Sequence, residues 1–146
     1  MKLKEIELRI IHLPLVRPFR TSFGTQTSRE VLMIKVTNEN GTVGWAECVA
    51  MSEPLYSPEY VIGCLDLMKR FLIPALNIKQ EITAEDVPLV LKPFLGGQMA
   101  KAALETAILD AQLSDQKISL ASYLGATKSK VECGVSVGIA NNLVAL

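Results

Sequence analysis

With 146 residues, 49% of them hydrophobic and 21% charged, the chain is long enough for one domain with a real core and too apolar to be disordered. Its 15 Lys and Arg balance 15 Asp and Glu, and the basic residues are scattered, which argues against nucleic-acid binding and an anionic membrane surface. The start, Met1-Lys-Leu-Lys-Glu-Ile-Glu7, lacks the apolar run of a secretory signal, and no stretch approaches the ~20 apolar residues of a membrane span, so a cytoplasmic protein is expected.

Leu3 to Val16 alternates charged and apolar residues and reads as a first strand, ended by Pro14 and Pro18. Val16 to Thr27 reads as a polar loop carrying Phe19 and Phe23. Arg29 to Thr37 is a second strand with Leu32, Ile34 and Val36 on one face, and Asn38-Glu-Asn-Gly41 is a turn signal. Thr42 to Ala50 is a third strand, giving an antiparallel hairpin joined by the first. The period then changes. Ser57 followed by Pro58 predicts a helix start, with Val61, Leu65, Met68 and Leu72 along one face and Pro74 as its end. Thr83-Ala-Glu-Asp86 resembles a capping box, followed by a short helix limited by Pro88 and Pro93. Gly96-Gly97 breaks the chain. Met99 to Lys117 is the clearest helix, with Leu104, Ala107, Ile108 and Ala111 as its apolar stripe and alanines that imply close packing. Ser119 to Leu124 predicts a last short helix closed by Gly125.

Val131 to Ile139 reads as a final strand of another kind. Val131, Cys133, Val135, Val137 and Ile139 form an apolar side, while Glu132, Gly134, Ser136 and Gly138 form a small or polar one. That suits the first strand of a barrel covered outside by helices. The expected class is therefore α+β: a three-stranded antiparallel sheet followed by a helical bundle over residues 1–126, with residues 127–146 beginning a truncated (β/α) barrel. The cysteines Cys48, Cys64 and Cys133 are odd in number and widely spaced, which fits buried reduced thiols. With no C-x-x-C motif and a single histidine, His12, in an apolar stretch, no metal site is expected in the chain.

Pro18-Phe-Arg-Thr-Ser-Phe-Gly-Thr-Gln26, Gly44-Trp-Ala-Glu-Cys48 and Met51 with Pro54-Leu-Tyr56 resemble the amino-terminal capping domain of the enolase superfamily. Met99-Ala-Lys-Ala-Ala-Leu-Glu105, Ile108-Leu-Asp110 and Cys133-Gly-Val-Ser-Val-Gly-Ile139 extend the resemblance over essentially the whole chain. It lies nearest the o-succinylbenzoate synthase and N-acylamino acid racemase group of the muconate-lactonizing subgroup. The resemblance implies a complete homo-oligomeric enzyme with a (β/α) barrel. There, Mg²⁺ and paired lysines take a proton α to a carboxylate, either for dehydration in menaquinone formation or for racemisation. The catalytic lysines and metal ligands are expected beyond Leu146, so the chain alone is expected to bind no Mg²⁺ and to be inactive. Alternatives are the same domain of a dipeptide epimerase or muconate cycloisomerase, or a non-catalytic binding or assembly module.

The resemblance further implies that two loops close over a small carboxylate substrate. Phe19, Phe23, Met51 and Tyr56 match its pocket positions, and Ser136 falls on the small-residue side of the expected barrel strand. Arg20 reads as a solvated loop charge. Lys128-Ser-Lys130 precedes the barrel strand and reads as a solvated loop. Glu47, Glu105 and Asp110 read as structural carboxylates, and His12 as a strand residue with a satisfied ring.

Overall fold

The computed structural model describes residues 1–22 and 24–135. Three strands, β1 (Leu3–Thr21), β2 (Gly24–Asn38) and β3 (Val43–Cys48), form an antiparallel sheet in the order β1-β2-β3. The alternating pattern sets three rows across the inner face: Ile10 beside Leu32 beside Cys48, Leu8 beside Ile34 beside Ala46, and Ile6 beside Val36 beside Gly44. Leu32, Ile34 and Val36 are fully buried. The outer face is mixed, with Ile11 beside Val31 and with Met33 and Trp45 among charged residues. Lys35 pairs with Glu7 at 3.7 Å and sits 5.8 Å above the Trp45 ring, and Arg9 also bonds Glu7.

β1 does not stop at Pro14. It continues through both prolines to Thr21, so the expected loop at 16–27 is largely the tip of a long hairpin. A proline offers no N–H to the ladder and is tolerated at an edge or a bulge. β1 is an edge strand, and the register breaks between Pro14 and Phe19, where five steps on β1 oppose two on β2, from Ser28 to Gln26. The two prolines bracket an irregularity inside the strand.

The helical layer is α1 (Val61–Leu67), a π-helical turn (Met68–Leu72), α2 (Ile73–Asn77), a 3₁₀ turn (Ala84–Asp86), α3 (Val87–Leu91), α4 (Gln98–Gln116) and α5 (Leu120–Tyr123). Ser57 does not start the first helix. Tyr60 is its N-terminal boundary and is extended, because residue 60 bridges Met51 and the Val61 N–H donates to the Met51 carbonyl at 2.9 Å. Pro74 does not end it either. The preceding turn widens, with Ile73 N–H donating to Met68 O, and the chain stays helical past the proline. The buried stripe is Val61, Cys64, Met68, Leu72 and Leu76, with Cys64 taking the core position expected of Leu65.

The capping box at residues 83–86 forms: the Asp86 carboxylate accepts from both the N–H and the hydroxyl of Thr83, each at 3.0 Å. Lys79 also donates to Asp86, at 2.6 Å. These contacts, led by Lys79, hold the Asp86 carboxyl at about 2. Ser119 accepts from Ser122 N–H at the start of α5, and Gly125 follows with φ +67°.

The alanines of α4 pack on β3, as their abundance predicts. Ala107, Ile108 and Ala111 are fully buried, and Gly44 passes so close that a Cβ there would lie 2.2 Å from Ala111 N and 2.3 Å from Ala107 O. Asp110 accepts from Trp45 N–H at 2.8 Å. Asp115 accepts from the Thr42 hydroxyl at 2.8 Å and from Asn38 and Asn40, fastening the predicted turn to the end of α4. Val131–Val135 adopt no regular structure and are exposed, outside the three-stranded sheet; residues 136–139 of the expected barrel strand lie outside the described residues.

Candidate functional site

The hairpin tip and the segment after β3 face each other across a cleft of about 660 Å³. On one side the register break swings Leu15, Val16 and Arg17 out of the ladder and toward the cleft, with Phe19 beyond them. On the other side lie Val49, Ala50, Met51 and Tyr56. The two walls are tied through the core. Ala50 is buried, β3 runs beside β2, and Met51 is held to the start of α1 by its bridge to Tyr60. A second hollow of about 290 Å³ continues the cleft along the hairpin tip, between Thr21, Thr25 and Gln26 on one side and Met51, Ser52 and Leu55 on the other.

Phe19, Met51 and Tyr56, far apart in sequence, are therefore brought together. Phe19 is 54% and Tyr56 76% exposed, so neither ring is committed to the core. Phe23 and Ser136 lie outside the described residues. Arg20 is on β1 beside Thr25, not in a loop. Leu15, Val16 and Arg17 were missing from the residues expected at the site. The available signal was Pro14-x-x-x-Pro18, because prolines in a strand favour edges and bulges.

The cleft is amphipathic. Phe19, Val16, Val49 and Met51 supply apolar surface, and Arg17, Arg29 and Glu30 supply charge. Arg29 is already engaged, donating to Glu47 at 2.8 Å. Among the described residues, no His, Cys or Lys lines the cleft; Glu30 and Tyr56 are its proton-transferring side-chain types.

Beneath the Met51 segment lies a packed polar knot. The Glu59 carboxylate accepts from Met99 N–H at 2.9 Å and Ala100 N–H at 3.4 Å, capping α4 from a distant part of the chain where Gly97 has no side chain to do so. The Cys64 thiol donates toward Glu59 at 3.7 Å and contacts Cys48. The contact with Cys48, then burial, then the Glu59 charge push the Cys64 thiol up, so it stays protonated. Cys48 and Cys64 are buried as expected, but Cys133 is exposed because the segment carrying it packs on nothing described.

The other carboxylates are structural where their partners are visible: Glu47 with Arg29 and Asp110 with Trp45. Glu105 borders a separate groove beside Phe94 and Lys101. His12 is a strand residue opposite Glu30 and is exposed. Lys128 and Lys130 are exposed in a loop. Among the described residues, no three His, Cys, Asp or Glu side chains gather as a metal site, so these residues do not fit the Mg²⁺ that the resemblance implies. No helix among them is long and apolar enough to cross a membrane.

Residues 5–125 match the model of the mandelate racemase / muconate lactonizing enzyme N-terminal domain. The chain is 49% identical over 143 residues to an N-succinylamino acid racemase from an Amycolatopsis species, which covers 98% of this chain and 39% of that protein. It is 35% identical over 140 residues to the o-succinylbenzoate synthase of Bacillus subtilis strain 168, covering 96% and 38%. A solved enolase-superfamily member from Listeria innocua superposes with a TM-score of 0.90 at 34% identity, covering 97% of this chain and 38% of that one. The chain thus spans less than two-fifths of the length of these relatives.

Proposed function

We propose that this chain, which belongs to the enolase superfamily through its mandelate racemase / muconate lactonizing enzyme N-terminal domain, supplies the substrate-covering part of a racemase or synthase. The observation that carries the reading is the convergence of Phe19, Met51 and Tyr56 on one cleft between two separate segments. The identities to an N-succinylamino acid racemase and an o-succinylbenzoate synthase support a small acylated carboxylate as the ligand.

The reaction proposed for the assembled enzyme is removal of a proton α to a carboxylate. Return of the proton on the opposite face racemises the centre; expulsion of water instead gives dehydration. This chain's share is binding. Phe19, Val16, Val49 and Met51 would exclude water from the acyl chain, and Met51, with its flexible thioether, adapts to acyl groups of different shape. The metal and the proton-transferring groups are assigned to a barrel beginning within residues 127–146, with 1–126 as the covering domain. The match over residues 5–125 supports that division. A cytoplasmic homo-oligomer is the proposed setting; two buried free thiols support the reducing compartment.

The test is kinetic. In the complete enzyme, Phe19→Ala and Met51→Ala should raise KM for N-succinylamino acids by about tenfold each while leaving the fold intact, since each removes apolar contact worth roughly 1–3 kcal/mol. The 146-residue chain alone should turn over neither racemase nor synthase substrates. Turnover by the chain alone, or wild-type KM in both variants, would contradict the assignment.

A further inference from the structure

The register break in β1 presents a guanidinium to the cleft whose role the apolar residues do not explain. Between Pro14 and Phe19 the strand holds three more residues than its partner, and the surplus sits at Leu15, Val16 and Arg17, all of which line the cleft. Bulges of this kind re-aim side chains at sites. The other arginines of the described residues are occupied. Arg9 bonds Glu7, Arg29 bonds Glu47 at 2.8 Å, Arg70 bonds Asp66 at 3.4 Å, and Arg20 is also engaged. Arg17 is exposed and makes no ion pair among the described residues.

We infer that Arg17 is a specificity residue for acyl groups that end in a carboxylate. This rests on the proposed substrate-covering role. The apolar wall takes the methylene chain of the acyl group, and the planar guanidinium at the rim donates a forked pair of N–H···O bonds to the terminal carboxylate. A fixed cation beside an apolar wall selects for a dianion over a neutral acyl chain of equal length, because both ends of the ligand are satisfied at once. The rigid frame comes from Pro14 and Pro18, which bracket the bulge with fixed φ. Glu30, on β2 of the same hairpin, also lines the cleft and disfavours a carboxylate placed beside it.

The experiment titrates the isotope-labelled full chain by NMR with N-succinyl-L-phenylalanine and with N-butyryl-L-phenylalanine, which differ only in a terminal carboxylate against a methyl group. The succinyl compound should bind about three- to tenfold more tightly, the range of a partly solvent-exposed charge pair, with shifts at Leu15, Val16, Arg17 and Phe19. Arg17→Ala should equalise the two ligands, and Arg17→Lys should keep part of the preference. Equal affinity in the wild type, or a succinyl preference that survives Arg17→Ala, overturns the role of Arg17 while leaving the covering role standing. Failure of both ligands to bind overturns Arg17 as a carboxylate site of this chain, while KM of Phe19→Ala and Met51→Ala in the complete enzyme decides the covering role separately. Succinyl preference without N-succinylamino acid turnover in the complete enzyme removes the enzymatic reading and keeps Arg17 as a carboxylate site.

Discussion

Adding one methyl group at Gly44 tests the packing that underlies the cleft. β3 leads directly into the Val49–Met51 wall, and its inner face meets α4 at Gly44. A Cβ there would stand 2.2 Å from Ala111 N, 2.3 Å from Ala107 O and 2.8 Å from Ala111 Cα. All three are backbone atoms, so no side chain can rotate away. Relief requires moving the strand off the helix by about an ångström, which also stretches the 2.8 Å bonds from Trp45 to Asp110 and from Thr42 to Asp115. Overpacking costs about 1–3 kcal/mol where side chains yield, and here the upper end is expected, about 3 kcal/mol. For a domain of this size that lowers Tm by roughly 6–12 °C. Thermal and urea unfolding of Gly44→Ala measure it. Adding Ala111→Gly should not rescue the variant, because the clashing atoms remain and a mid-helix glycine costs about 1 kcal/mol more. A loss below 1 kcal/mol, or rescue by Ala111→Gly, would refute the close-contact reasoning.

The pH dependence of stability should carry a signature of Asp86. Its folded carboxyl lies at about 2, below the ordinary 3.8, so its contribution is present above about pH 3.8 and disappears as pH falls toward 2. The gap in Tm between wild type and Asp86→Asn should therefore close across that window; a gap that is constant with pH would exclude the assignment. Glu59→Ala should cost about 1 kcal/mol and speed hydrogen exchange at Met99 and Ala100, whose amides it accepts; unchanged exchange there would remove it as the cap of α4. In the native 146-residue chain a thiol reagent should modify Cys133 rapidly, and Cys48 and Cys64 only on unfolding. Peptide mapping that finds Cys64 labelled first would contradict the packed knot beneath Met51.

The sheet was legible because period-two patterning in Leu32–Ile34–Val36 and Ile6–Leu8–Ile10 has few competing explanations when one face is buried. The alanines of α4 announced a close neighbour but not its identity; only the fold shows that the neighbour is Gly44. Prolines misled twice. At Pro14 and Pro18 the chain keeps its strand by bulging at an edge, and at Pro74 it keeps its helix by opening a π turn. Both solutions depend on neighbours that a local pattern does not contain. Ser57 failed as a helix start for a similar reason, since the bridge between Met51 and Tyr60 holds the chain extended past it. At the candidate site, Phe19, Met51 and Tyr56, which the resemblance singled out, line one cleft. The contribution of Leu15, Val16 and Arg17 arises from a register difference between two strands, which neither strand reveals by itself. Likewise Cys48 reaches the local Glu59–Cys64 pair only through tertiary packing.

If the hairpin tip and the Met51–Tyr56 segment cover a bound acylated carboxylate, a crystal structure of the complete enzyme with an N-succinylamino acid will show the contacts. The acyl chain should lie within about 4.5 Å of Phe19 and Met51, the distance of apolar contact, with Tyr56 closing the same side. A ligand bound in the enzyme but separated from all three residues by solvent would contradict it.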